Sequence, residues 1–344
     1  GLCARAIAPP RHRRRRPGKR RAEFRARRKS VERVAAIALF LALVAGFAAQ
    51  RGSICAVAAV KALVVDRKPS RYRAFVECAA WSLAVLATAR LLGVAPGSTP
   101  SAFPAGATAA VGGALFGVGA AVNGACTFGT VARLGRGDFS YAAMPVGFIA
   151  GVIMIARLAD APAPLMDAPD PTQSSLAAML IVFFVGYQFF RISDVVTGPR
   201  DAFSKLTAKE WPPSLAMGVI GVVSGLLMVF FSPWPYSKLL VEIGADQESG
   251  HRLLRIAIAF SFVAGAFIGA RSIRAFVSRT PSLRQVAEKL LGGAMMGAGS
   301  YLAPGGNDSM VLVGLPHLFL YAFIAYLSMS AAIAAVVLVE QRKR

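Results

Sequence analysis

Apolar runs separated by short charged loops set the frame of this chain. Nine of them, at 34–50, 73–92, 107–122, 139–158, 174–190, 214–231, 253–273, 290–303 and 316–339, approach the roughly 20 residues that cross a bilayer as a helix. Four shorter apolar stretches follow polar or glycine-proline breaks. They predict half-helices beginning at Ser53, Cys126, Tyr236 and Ser309, with Ser53 as an N-cap. The pattern repeats. GGALFGVGAAVNGACTFG, from Gly112, and GGAMMGAGSYLAPGGNDS, from Gly292, align without a gap at an offset of 180 residues. Gly112, Gly113, Ala114, Gly117 and Gly119 meet Gly292, Gly293, Ala294, Gly297 and Gly299. Each copy ends in a backbone-breaking cluster, NGACTFG or APGGND, and the same offset carries Cys55 onto Pro235. Paired interruptions at matching places in two halves point to a transport site. The expected fold is an all-α polytopic membrane protein of about nine transmembrane helices plus four half-helices in two inverted repeats. Residues 34–173 form the first repeat, 174–213 a linking span with a cytoplasmic loop, and 214–344 the second repeat.

Composition sharpens this picture. Mean hydropathy is +0.55, and 16% of residues are charged, where a soluble domain carries about a quarter. Of the formal net charge of +22, +12 falls in residues 1–33. That arginine-rich tail is expected to be disordered, either solvated or foreign to the membrane body, since the chain starts at Gly1 rather than Met. Contact with anionic lipid is its functional alternative; no specific nucleic acid is expected as a partner. Loops 61–73, 133–136, 191–211 and 271–289 are basic, whereas 93–106 and 159–173 are not, which predicts a cytoplasmic C-terminus. Four cysteines without C-x-x-C spacing, three scattered histidines, no Walker A sequence and no dinucleotide fingerprint argue against a disulfide framework, zinc and ATP-driven transport. No catalytic residue, metal or cofactor is expected, so the chain reads as a non-enzyme.

A helix that starts inside a membrane aims its unpaired N–H groups and the positive end of its dipole at the break, which suits an anion. Four such starts meeting near the midplane would make a small electropositive chamber. Cys55 and Cys126 stand at the first two breaks. A thiol there is a soft, weak donor suited to a sulfur-containing anion, directly or through persulfide chemistry; otherwise it packs as a small apolar group. Arg51 either offers charge to the anion or snorkels to the interface. Asn123, Asn307 and Asp308 either cap helices or contact the solute. Gly124, Thr127, Pro304, Gly305 and Gly306 complete the two breaks of this candidate pathway. Glu77, a carboxylate within a span, is either functional or paired with Arg71 or Arg73. Cys78 packs, the glycine notches allow close helix contact, and Trp81, Trp211 and Trp234 serve as anchors.

AQRGSICAVAAVKAL, NGACTFGTVARLGRGD and YLAPGGNDSMVLVGLPHLFLYAFIAYLSM resemble the YeeE/YedE family of bacterial sulfur-transport membrane proteins, over about residues 36 to 335. The resemblance implies thiosulfate uptake across the bacterial inner membrane by an hourglass-shaped, inverted-repeat protein whose membrane-embedded loops carry cysteines. Those cysteines pass thiosulfate along through S–H hydrogen bonds. Cys55 and Cys126 match two of them. The relay's third cysteine falls where this chain has PGGND, and no cysteine follows Cys126. Asn307 and Asp308 are candidates to fill that place. The expected function is uptake of a small inorganic sulfur anion, most simply thiosulfate. The alternative is a membrane persulfide subunit that hands sulfur to a cytoplasmic sulfurtransferase.

Overall fold

The computed structural model describes residues 17–94, 100–165, 179, 183–184, 186–188, 204, 207–231, 234–247 and 250–343, with backbone alone for 17–31. The span expected at 174–190, the linker that follows it, and Ser232 and Pro233 of the third break lie wholly or largely outside the described residues. The chain divides into residues 1–37 and 38–344. In the first unit, helix α1 (Pro17–Arg51) already begins at Pro17, within the stretch expected to be disordered.

The named elements among the described residues of the second unit are all helices. Helix α1 ends at Arg51, and α2 (Ala56–Val64), α3 (Ser70–Leu91), α4 (Ala107–Asn123), α5 (Thr127–Gly135) and α6 (Ala143–Ala156) follow. The second half has α7 (Pro213–Phe230), α8 (Tyr236–Gly244), α9 (Arg252–Ser272) and α10 (Leu283–Leu302). It closes with α11 (Asn307–Ser309), which runs into a π-helical turn at Met310–Gly314, and α12 (Leu320–Arg342). Seven helical stretches among the described residues are long and apolar enough to cross a membrane. The run at 290–303 is not one of them. Its helix, α10, opens with Arg284, Glu288 and Lys289 in its first two turns, which leaves a short apolar remainder.

Glycines set how the helices meet. A Cβ at Gly112 of α4 would lie 2.6 Å from the Ala303 nitrogen, and a Cβ at Gly292 of α10 would lie 2.6 Å from the Asn123 nitrogen. These two contacts are reciprocal at the 180-residue offset. On the flanks, a Cβ at Gly113 would lie 2.2 Å from the Ala325 carbonyl oxygen of α12, and one at Gly293 would lie 2.4 Å from that of Met144 on α6. A row α6–α10–α4–α12 results. Backbones this close gain dispersion contact that larger side chains would prevent. Helix α3 packs along α7, where Gly221 faces the Cys78 carbonyl, and α1 meets α9 through Gly46 and Gly265.

The breaks fall near their expected places, with two corrections. Cys55, not Ser53, is the N-cap of α2. Ser53 is held at a positive φ of 47°, and its hydroxyl accepts from Arg136 Nη2 at 2.5 Å. The fourth short helix begins at Asn307 rather than Ser309, after Gly305 at φ +134° and the N-cap Gly306.

Candidate transport site

The four short helices bring their first turns together. The backbone N–H of Ala56, first residue of α2, donates to Cys126 Sγ at 3.0 Å. Cys126 in turn is the N-cap of α5. The next residue, Thr127, donates from its hydroxyl to Asn307 Oδ1, its repeat equivalent, and from its backbone N–H to the same oxygen at 3.3 Å. The Thr127 hydroxyl also lies 3.2 Å from Asp308 Oδ1. Asp308 Oδ2 accepts the Ser237 backbone N–H of α8 at 3.1 Å. Gly306 N–H donates to Ser237 Oγ at 3.2 Å, and the hydroxyls of Ser237 and Ser309 lie 3.1 Å apart. The Tyr236 phenol donates to the Thr127 carbonyl at 2.6 Å.

This arrangement corrects one expectation. The helix-start N–H groups of Ala56, Thr127 and Ser237 are not left open to a chamber; side chains of the neighbouring breaks occupy them. The reason is general, since a buried backbone donor must be paired. Asn307 and Asp308 are therefore caps in trans, each serving the start of another helix. Asn307 Nδ2 and Asn123 Oδ1 are buried and have no hydrogen-bond partner among the described residues. Asn123 otherwise braces the first-half break, donating to the Ala125 carbonyl at 2.6 Å and to Thr130 Oγ1 at 3.0 Å. Lys289 Nζ donates to the Asn123 carbonyl at 2.6 Å, where a cation suits the last turn of α4. Gly124 ends that helix in the left-handed region, at φ +74°.

On the other side of the thiols lies a cavity of about 740 Å³. Cys55, Ser53, Gly124 and Gly129 line its inner end, and a Cβ at Gly129 would come within 2.6 Å of Cys55 Sγ. Cys126 has no exposed surface, whereas Cys55 is only half-buried, so the two thiols are placed one behind the other. The two lie within hydrogen-bonding reach of each other. Lys61, Arg71, Arg133, Arg136 and Arg279 line the cavity, against the carboxylates of Asp138 and Glu340. The sequence reading used these cations only to orient the loops; their charge was legible, but their convergence was not. Loop segments seal one flank, where Val277 N–H donates to the Arg136 carbonyl at 2.8 Å and Arg279 N–H to that of Gly137 at 3.0 Å. Gln50 accepts from Arg136 Nε at 2.9 Å and donates to the Ala132 carbonyl at 2.6 Å. Burial pulls the Arg136 pKa down from the ordinary arginine value, with Arg133 and Arg71 adding to this and Glu210 opposing it; the guanidinium remains charged.

Arg51 is not among the residues that line the cavity. It is buried, donates to Ser272 Oγ at 2.9 Å and to the Ala208 carbonyl at 2.6 Å, and lies over the rings of Phe47 and Trp211. Glu77 sits 3.4 Å from Arg73, one of its two expected partners, and outside this site. Trp234 is buried, with Nε1 donating to Ser224 Oγ at 3.2 Å. Pro304 and Gly305 shape the second-half break through their backbone, Gly305 at φ +134°. Among the described residues no group of histidine, cysteine and carboxylate side chains could hold a metal ion.

A family model described as sulphur transport matches residues 51–335, most of the chain. No curated protein matches it.

Proposed function

From the premise that the chain belongs to this sulphur-transport family, known as YeeE/YedE, we propose that it carries a small sulfur-containing anion, most simply thiosulfate, across the bacterial inner membrane. The observation that carries the reading is the placement of Cys55 at the inner end of a cation-lined cavity, with Cys126 directly behind it at the meeting of four helix starts. Cations draw the anion in, and soft thiols replace part of its hydration. Asn307 then offers Nδ2 where the relay's third cysteine is missing. The reciprocal glycine contacts support two inverted repeats, with the basic cavity and the C-terminus on the cytoplasmic side. Helix α10 then makes an eighth crossing among the described residues.

The test is thiosulfate uptake by liposomes holding the purified protein, wild type beside Cys55→Ala and Cys126→Ala. Uptake lost in both variants, with folding retained, is expected. Uptake that ignores both substitutions removes the thiols from the pathway, and no uptake from well-folded wild type refutes the thiosulfate reading. The persulfide alternative rests on Cys55, the thiol that faces the cavity and could meet a cytoplasmic sulfurtransferase. A persulfide on the purified protein together with absent flux would favour it.

A further inference from the structure

Asp308 is 1% exposed, at the centre of the helix starts and among groups that favour an anion. Its carboxylate accepts the second N–H of α8, through Ser237, and lies within reach of the Thr127 hydroxyl at the start of α5. Among the described residues it has no ion-pair partner. A buried carboxylate balanced by hydrogen bonds alone is costly in a membrane, and ionisable groups at such depth belong to ion and proton pathways. Beside it, Asn307 is fully buried with Nδ2 unpaired, although that side chain's oxygen is already committed to Thr127. An unmet buried donor next to helix-start donors held by a carboxylate describes a site for oxyanions in which one protein carboxylate already sits.

We propose that Asp308 is the proton-coupling group of transport. Its carboxylate holds the Ser237 N–H, a helix-start donor that suits a transported anion, and a proton on that carboxylate releases it, so that anion and proton cross together. The proposal rests on the anion-transport reading and decides what that reading leaves open, passive flow against proton symport. The physical step is competition. A dianion arriving at the Ser237 N–H and Asn307 Nδ2 meets a like charge at Asp308, and O–H formation on Asp308 removes it. By linkage the anion then strengthens proton binding as much as the proton strengthens anion binding. The proton enters from the anion's side and leaves to water on the other. The titratable group facing Asp308 is the Tyr236 phenol from α8, which also faces the Cys126 thiol of α5, with Cys55 and Tyr326 on the side of Cys126. Thr127, Ser237 and Ser309 contribute hydroxyls. Lys238, on α8, is directed toward Glu242 and Arg255 instead.

The experiment uses full-length protein in liposomes, with membrane potential clamped at zero, radiolabelled thiosulfate and an internal pH dye. Thiosulfate exchange without any gradient tests transport itself, and its absence refutes that reading rather than coupling. Given exchange, an inside-alkaline gradient of one pH unit is expected to concentrate thiosulfate inside about tenfold per coupled proton. Internal acidification is expected to accompany uptake. Uptake without acidification overturns the proposal. In Asp308→Asn, gradient-driven accumulation is expected to disappear, and its persistence overturns the assignment to Asp308. Should that variant fail to fold, Asp308→Glu takes its place. A displaced carboxyl is expected to shift the pH midpoint of uptake, and an unmoved midpoint counts against Asp308.

Discussion

Thr127 and Asn307 stand 180 residues apart and hold each other. Asn307 Oδ1 accepts both the hydroxyl and the backbone N–H of Thr127 in a fully buried setting. Replacing it by Leu, of similar size, leaves the Thr127 N–H unmet, while the hydroxyl keeps Asp308 Oδ1 within reach. An unmet buried donor costs about 1–3 kcal/mol, so Asn307→Leu is expected to destabilise the protein by about that amount and to weaken thiosulfate uptake. Thermal denaturation in detergent reads the first effect and liposome flux the second; an unchanged melting temperature would contradict the pairing. Lys289→Met is expected to act similarly and more mildly, by uncapping the Asn123 carbonyl at the end of α4. Side chains of this kind were legible as polar residues in apolar surroundings. Their partners were not, because sequence neighbours offer several equally good acceptors. Asn307 and Asp308 were thus readable as caps, but not as caps for α5 and α8.

At the level of helices, the glycine pattern was the most readable feature, since a missing side chain is visible in the sequence before any contact is known. What the pattern left open was which glycine serves space and which serves conformation. Gly151 and Gly124 separate the two. A Cβ at Gly151 would lie 1.9 Å from the Ala294 carbonyl oxygen, so Gly151→Ala must push α6 from α10. At Gly124 the nearest atom would be the Tyr141 hydroxyl at 3.4 Å, which leaves room, but φ is +74°. The left-handed conformation costs an alanine about 1–2 kcal/mol. Gly124→Ala is therefore expected to fold with a modest loss of stability, whereas Gly151→Ala is expected to lose most folded protein in membranes. Size-exclusion profiles and thermal midpoints of the two variants, measured side by side, check the contrast. Short helices were legible from their breaks to within a few residues. The shift from Ser53 to Cys55 came from Arg136, a distant residue that claims the Ser53 hydroxyl.

At the scale of the molecule, the described residues gather positive charge around one cavity, as the proposed anion pathway requires. Each basic loop was readable by itself as a topology marker, but Lys61, Arg71, Arg133, Arg136 and Arg279 come from separate stretches of chain, and only folding gathers them around one cavity. Five cations facing two carboxylates in a concave, low-dielectric wall raise the local concentration of a dianion. This is long-range attraction, so salt must weaken it. Raising ionic strength from 0.01 M to 0.15 M shortens the Debye length from about 30 Å to about 8 Å. The initial rate from the cavity side, at thiosulfate well below saturation, is expected to fall several-fold over that range. Lys61 and Arg279 are exposed, and their side chains have no hydrogen bond or ion pair among the described residues, so reversing them tests the field rather than the fold. The Lys61→Glu/Arg279→Glu variant is expected to start slower at low salt and to respond little to added salt, with the saturated rate close to wild type. A variant that keeps the full salt dependence would move the source of attraction away from this cavity. A variant whose saturated rate collapses would instead place Lys61 or Arg279 within the translocation step itself.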